Sequence, residues 1–292
     1  MLCIARSGIQ KCRTIPKTTG SRLAPRSTGL GRDDELRHSL FGWGFFSCSF
    51  LTINSYEEPK RFGVSTKGMS KTDVITIDGP AGSGKSTVSR LLAKKIHRLY
   101  LNTGAMYRAA AFAARRKGIS FSDGKRLGEL CRSLELTFTT DEDPPRILLG
   151  TEDISMAIRT PDMDMLSSKV SSVREVREAM TELQRKMAKG ISVVVEGRDM
   201  GTVVFPEAQH KFFLTASSEV RAERRYKEMV ERKESVSREG VKAELNKRDY
   251  QDKTRSLAPL KPAKNAKLID STNLTPDEVV SAILKDLEKT NK

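Results

Sequence analysis

GPAGSGKS, Gly79 to Ser86, has the residue types and spacing of a phosphate cradle and matches G-x-x-x-x-G-K-[ST] in full. Gly79, Gly82 and Gly84, with Pro80, Ala81 and Ser83 between them, let the backbone turn tightly enough to aim successive N–H groups at phosphate oxygens. A helix opening near Lys85 would add its positive end. Lys85 would reach the β- and γ-phosphates, Ser86 would offer a hydroxyl to Mg²⁺, and Thr87 follows on the same turn. The pattern calls for a nucleoside triphosphate but does not separate a kinase from an ATPase, a GTPase or a motor. A second cluster, EGRDMGTVVFP from Glu196 to Pro206, sets Arg198 beside Asp199 just after an apolar run, with Glu196 as a second candidate for the metal. An arginine at the carboxyl end of a parallel strand lies where open α/β sheets bind ligands, and it could hold a second phosphorylated substrate.

These residues need a frame. VITIDG (74–79), LYLN (99–102), ISVVVEG (191–197), KFFLTA (211–216) and KLID (267–270) read as strands, and the stretches between them carry helical spacing, as in Val88, Leu91, Leu92 and Ile96. Strands apolar on both faces and separated by helices predict an α/β fold: a five-stranded parallel sheet with helices on both faces. Two segments depart from that alternation. Residues 119–189 carry short strands at LELTFTT and PRILLGT and polar helices from Ser167 to Lys189, which suggests an insert. Residues 219–250 read as a charge-dense helical pair broken near Ser235 to Gly240, and arginines there beside a phosphate loop suggest a lid. The core is then 71–118, 190–218 and 251–292. LTPDEVVSAILKDLEK closes the chain as a helix capped by Thr275 with Pro276 in its first turn.

Composition narrows the classes. The chain has 292 residues, 37% hydrophobic and 30% charged, which excludes fibrous, membrane-bundle and fully disordered classes. A net charge of +15 favours anionic partners. Four cysteines, three of them before residue 49, predict neither a disulfide framework nor a thiolate metal site, and point to a reducing, cytoplasmic setting. Residues 1–70 are expected to be a leader, either disordered or the product of start-site choice, since Met69 stands just before the first strand. Residues 1–32 hold seven basic residues and no acidic one, so organellar targeting by residues 1–68 is the alternative. The apolar run from Leu40 to Ile53 is 14 residues long and broken by glycines, too short for a membrane span.

DGPAGSGKST, LNTGAMYRA, EGRDMGTVVFP, KRDYQDKTRSLAPL and LIDST together resemble the bacterial-type cytidylate kinase family of nucleoside monophosphate kinases, from about Val74 to Glu288. The pairing of GRDMGTVVFP with RDxxDxxRxxAPL is specific, whereas the phosphate loop alone is widespread. The resemblance implies transfer of the γ-phosphoryl of ATP to CMP or dCMP, a Mg²⁺ requirement, and a core with a monophosphate-binding insert and a lid. It implies that Ser168, Arg177 and Asp199 read the cytosine ring and that Arg108, Arg159 and Arg198 grip the acceptor phosphate. It further implies that Arg248 and Asp252 contact the sugar, with Arg255 completing the set near the reacting phosphates, and that Arg224 and Arg225 are lid arginines on the ATP side. Thr103 and Tyr107 join the CMP-binding set, and the catalytic set is Lys85, Arg198, Arg248 and Arg255. The sequence departs from many relatives at Asn102 and Thr103, where they have Asp and Ser, and at Glu196, where they have Asp.

Cytosine offers an amino donor at N4 and an acceptor at N3, and uracil reverses that polarity. A carboxylate and an arginine can therefore separate the two bases, because the wrong one leaves a buried polar group unpaired. Two alternatives stay open: a phosphate-loop kinase with another acceptor such as UMP or AMP, and a basic nucleic-acid-binding protein. The second would show aromatics interleaved with its basic residues, yet the clearest aromatic cluster, residues 41–50, lies outside the α/β pattern. A monomer with small-molecule partners, no membrane and no nucleic acid as its main partner is expected.

Overall fold

The computed structural model describes residues 73–139 and 142–290, so the expectations for the leader fall outside the described residues. Five strands, β1 (Val74–Asp78), β2 (Leu99–Asn102), β6 (Val193–Gly197), β7 (His210–Thr215) and β8 (Lys267–Asp270), form one sheet in the order β2-β6-β1-β7-β8. Every pair is parallel. The five expected strands and the parallel sheet are thus borne out.

Alternation along β6 explains the two layers. Successive side chains of a strand point to opposite faces, so Val193 and Val195 join the core beneath α2 (Thr103–Arg116) and α5 (Arg174–Ala188). Val194 joins the opposite core with α1 (Lys85–Lys95) and α8 (Pro276–Thr290). All three valines are fully buried. In α8 the cap is reciprocal: Thr275 Oγ1 accepts from the Glu278 amide, and the Glu278 carboxylate accepts from the Thr275 amide.

The insert contains α3 (Gly124–Arg132), a small antiparallel sheet of β3 (Leu136–Phe138), β4 (Ile147–Leu149) and β5 (Glu152–Asp153), then α4 (Pro161–Ser171) and α5. The polar helices begin at Pro161 rather than near Ser167. Thr160 caps that earlier start, its hydroxyl accepting from the Met163 amide at 3.3 Å, with proline at the first helical position where no N–H is needed. The lid is α6 (Ser218–Glu231) and α7 (Arg238–Thr254), and α7 runs four residues past the expected boundary at 250. The lid has a small core of its own, Ala222, Met229, Val241 and Leu245. Among the described residues no helix is long and apolar enough to cross a membrane.

Candidate active site

β1 delivers the chain to the phosphate loop, and α1 receives it. Gly79 and Gly82 have φ of +152° and +74°, and a Cβ on either would lie 2.0 Å from the Leu214 carbonyl oxygen or 2.7 Å from that of Arg221. Only glycine fits both the conformation and the space. Lys85, the first residue of α1, donates from Nζ to the Pro80 carbonyl at 2.6 Å. Burial, reinforced by Arg198 and Arg248, pushes its ammonium down to about 7.

The carboxyl ends of β2 and β6 meet beside the loop. Asn102 and Glu196 stand opposite each other in register. Ser86 Oγ donates to Glu196 Oε2 at 3.0 Å, and the Tyr100 hydroxyl donates to Oε1 at 2.5 Å. Asn102 caps α2 through Oδ1 while its Nδ2 donates to the Tyr100 hydroxyl. Ser86 and Glu196 are therefore the residues that fit Mg²⁺: a hydroxyl and a carboxylate, both hard oxygen donors, next to a loop built for phosphate. Among the described residues no group of three or more His, Cys, Asp or Glu could hold a metal by itself.

A cavity of about 470 Å³ opens over the loop and brings Lys85, Ser86, Thr87, Arg108, Arg159, Arg198, Arg225 and Arg248 together. A narrower pocket of about 60 Å³ adjoins it and is lined by Thr103, Tyr107, Ser168, Arg177, Asp199, Asp252 and Arg255. The two share Gly104, Gly197, Arg198 and Arg248. Arg255 thus lies at the narrower pocket and does not line the phosphate cavity, with Nε donating to the Ala258 carbonyl. Arg224 is apart from both. It faces a third cavity along the loop, which Arg225 also lines, and there its guanidinium donates to the Ser271 hydroxyl and carbonyl at 3.0 and 2.7 Å.

In the narrow pocket the Asp199 carboxylate pairs with Arg177, and both side chains are nearly solvent-free. Arg198 Nε donates to Asp252 Oδ2 at 2.8 Å. Ser168 Oγ donates to Gln251 Oε1 at 3.4 Å, and the buried Tyr107 ring lies under the Arg177 guanidinium. Burial pushes the Tyr107 phenol up to about 12, so it is a neutral ring at ordinary pH.

Several contributors were not foreseen from sequence. Asp78, the last residue of β1, accepts from the Met200 and Gly201 amides at 2.9 and 2.8 Å, fastening the π-helical turn Met200–Val204 that follows Arg198 and Asp199. Its burial raises the carboxyl to about 6 against the pull of those two N–H groups. Its position directly before Gly79 was the available signal. Arg232 and Asp164 also line the large cavity, and Arg221 ties α6 to the loop by donating to the Ala81 carbonyl at 3.1 Å. Asn246 to Asp249 spells N-K-R-D, the letters of a guanine-reading motif, but it lies within α7 and Asp249 is turned to Arg221.

A family model described as cytidylate kinase matches residues 75–289. A cytidylate kinase of Geobacter sp. (strain M21) is 48% identical over 216 residues, 74% of this chain and 93% of that protein. Cytidylate kinases of Citrifermentans bemidjiense and Shouchella clausii are 48% and 47% identical over 207 and 221 residues, covering 71% and 76% of this chain and 89% and 98% of theirs.

Proposed function

The chain belongs to the cytidylate kinase family, and from that premise we propose how its residues carry the reaction. The protein is an enzyme that transfers the γ-phosphoryl group of ATP to CMP or dCMP, giving ADP and CDP or dCDP. The residue assignment rests on one observation: a phosphate-loop cavity and a narrow polar pocket adjoin and share Arg198 and Arg248.

ATP phosphates lie on the loop amides and the head of α1, with Lys85 turning from the Pro80 carbonyl to the β- and γ-oxygens. Arg224 serves the donor side of the loop, near Ser271. The acceptor phosphate lies in the large cavity among Arg108, Arg159, Arg198 and Arg248, with the cytosine ring in the narrow pocket against Ser168, Arg177 and Asp199. Asp252 holds Arg198 in place and, with Arg255, flanks the sugar. Ser86 and Glu196 would hold Mg²⁺, which when bound neutralises charge on the β- and γ-phosphates. The attacking oxygen belongs to an ionised phosphate, so no general base is required. The protein's task is to overcome the repulsion between two polyanions and hold them in line.

Two outcomes follow. The full chain offered CMP, dCMP, UMP and AMP separately should release ADP fastest with the cytosine nucleotides, and a preference for AMP or UMP would overturn the base assignment. Deleting residues 1–68 should leave that activity little changed, and a folded truncated protein that has lost most of it would refute this reading of the leader. From cysteine usage we infer that the protein works in the cytoplasm, with an organelle as the alternative destination because residues 1–32 are basic, and we propose that it acts as a monomer.

A proton balance provides a further check. With an ammonium near 7 in the ligand-free site, Lys85 is largely neutral at pH 8, and the negative phosphates of ATP favour its charged form. ATP binding at pH 8 should therefore take up protons, an uptake that fades by pH 6 where the ammonium is already charged. Calorimetry in buffers of different ionisation enthalpy measures it, and Lys85→Met should remove it.

A further inference from the structure

Asp164 sits in the first turn of α4, on the insert, yet its carboxylate is 7% exposed and faces the large cavity. Three guanidiniums converge on it from three elements. Oδ2 pairs with Arg225 of α6, while Oδ1 lies 3.5 Å from Arg108 of α2 and 4.0 Å from Arg248 of α7. Burial acts to raise its carboxyl, but Arg108, Arg225, Arg248 and Arg232 more than offset that and hold it below the usual carboxylate range. It is therefore an anion, held where two arginines of the acceptor-phosphate assignment meet a lid arginine.

The other carboxylates of this cavity are differently placed. Glu196 is engaged by Ser86 and Tyr100 beside the phosphate loop. Glu228 pairs with Arg225 and Arg232 from a side chain that is 47% exposed, where water screens it. Glu244 of α7 is exposed, so Asp164 alone among the four is both buried and shared between the core and both lid helices.

We propose that Asp164 is a resident counter-anion of the acceptor-phosphate subsite, competing with the incoming phosphate for Arg108, Arg225 and Arg248 and so tuning how strongly an anionic acceptor is held. The proposal rests on reading this cavity as the phosphate site. Before substrate arrives, the carboxylate balances guanidiniums that would otherwise repel one another in a partly desolvated space. When a dianionic phosphate enters, the same guanidiniums serve two anions, and the repulsion between carboxylate and phosphate lowers affinity. Removing that charge while keeping the shape should therefore tighten anion binding, the opposite of what loss of a simple structural clasp would do.

The test uses the full chain and the variants Asp164→Asn, Asp164→Ser and the charge-preserving Asp164→Glu. Inorganic phosphate and CMP are each titrated calorimetrically into nucleotide-free protein at fixed ionic strength. Phosphate is expected to bind Asp164→Asn and Asp164→Ser at least about threefold more tightly than wild type, with the gain shrinking as salt rises. Asp164→Glu should stay near wild type, and KM for CMP should fall in the neutral variants with no matching rise in kcat. Unchanged or weaker phosphate binding by either folded neutral variant would overturn the proposal and leave Asp164 as a clasp between insert and lid. Failure of the wild-type chain to phosphorylate CMP would instead strike the kinase reading, since phosphate titration needs no turnover.

Discussion

Lys85→Ala is expected to abolish phosphoryl transfer while leaving the fold intact. The ammonium stands at the head of α1, 2.6 Å from the Pro80 carbonyl inside the loop, where charge on the transferring phosphoryl group must be compensated. Loss of a single preorganised donor to developing charge costs about a hundred- to a thousandfold in kcat, and here the donor also carries a full charge. The fold should survive because α1 is anchored by Val88, Leu92 and Ala93 in the core rather than by Lys85. The buried ammonium also costs stability. Its pKa falls from 10.5 unfolded to about 7 folded, so the folded state is penalised increasingly as pH drops from about 10.5 to about 7 and by a constant amount below that. The melting temperature of Lys85→Ala at pH 7 should accordingly be no lower than wild type. A coupled ADP assay alongside circular dichroism decides the matter: near-wild-type CMP turnover in a folded variant would refute the assignment.

The second large effect concerns base choice. Asp199→Asn should weaken use of CMP by about 1–3 kcal/mol, roughly five- to 150-fold in kcat/KM, because a buried polar partner is lost or reversed. Asn is preferable to Ala, since the carboxylate shares a solvent-free contact with Arg177 and truncation would strand that guanidinium. Discrimination against UMP should narrow, because an amide can donate towards uracil O4 where the carboxylate could only accept. Asp199 adjoins Arg198, so turnover alone would confuse lost base reading with a displaced phosphate grip. The informative quantity is kcat/KM for CMP and for UMP in the same variant, and an equal proportional fall for both would reduce Asp199 to a positioning residue.

What could be read from sequence was local. Gly79 to Ser86 is contiguous and lies between an apolar strand and a helical repeat, so the loop, β1 and α1 were legible together, and the other four strands announced themselves as apolar runs. The pairings that organise the site are long-range and carry no periodicity. Asp164 reads as an ordinary acidic residue in a first helical turn, a common place for one, and only the approach of α2, α6 and α7 makes it the meeting point of three arginines. Arg224 and Arg225 are adjacent in sequence, but consecutive helical residues point about 100° apart. One therefore reaches Ser271 on the donor side, and its neighbour reaches Asp164 in the large cavity. Asn102 and Glu196 looked like two separate departures, yet they stand in register and share Tyr100. The start of α4 was misplaced because its cap, Thr160, precedes a proline easily taken for a loop residue.

The separate core of the lid has a mechanical consequence. Ala222, Met229, Val241 and Leu245 pack against one another, and the Arg221–Asp249 pair fastens α6 to α7 without either main core taking part. To swing as one body the helical pair must give up its ionic contacts with α4 and also release Arg221 from the Ala81 carbonyl, Arg224 from Ser271 and Asp252 from Arg198, while the sheet stays sealed. Such a unit opens at a free energy well below that of global unfolding. Backbone amides of α6 and α7 are expected to exchange faster than those of β1 and β6, and bound nucleotide should slow the former while barely touching the latter, which hydrogen exchange with and without nucleotide checks.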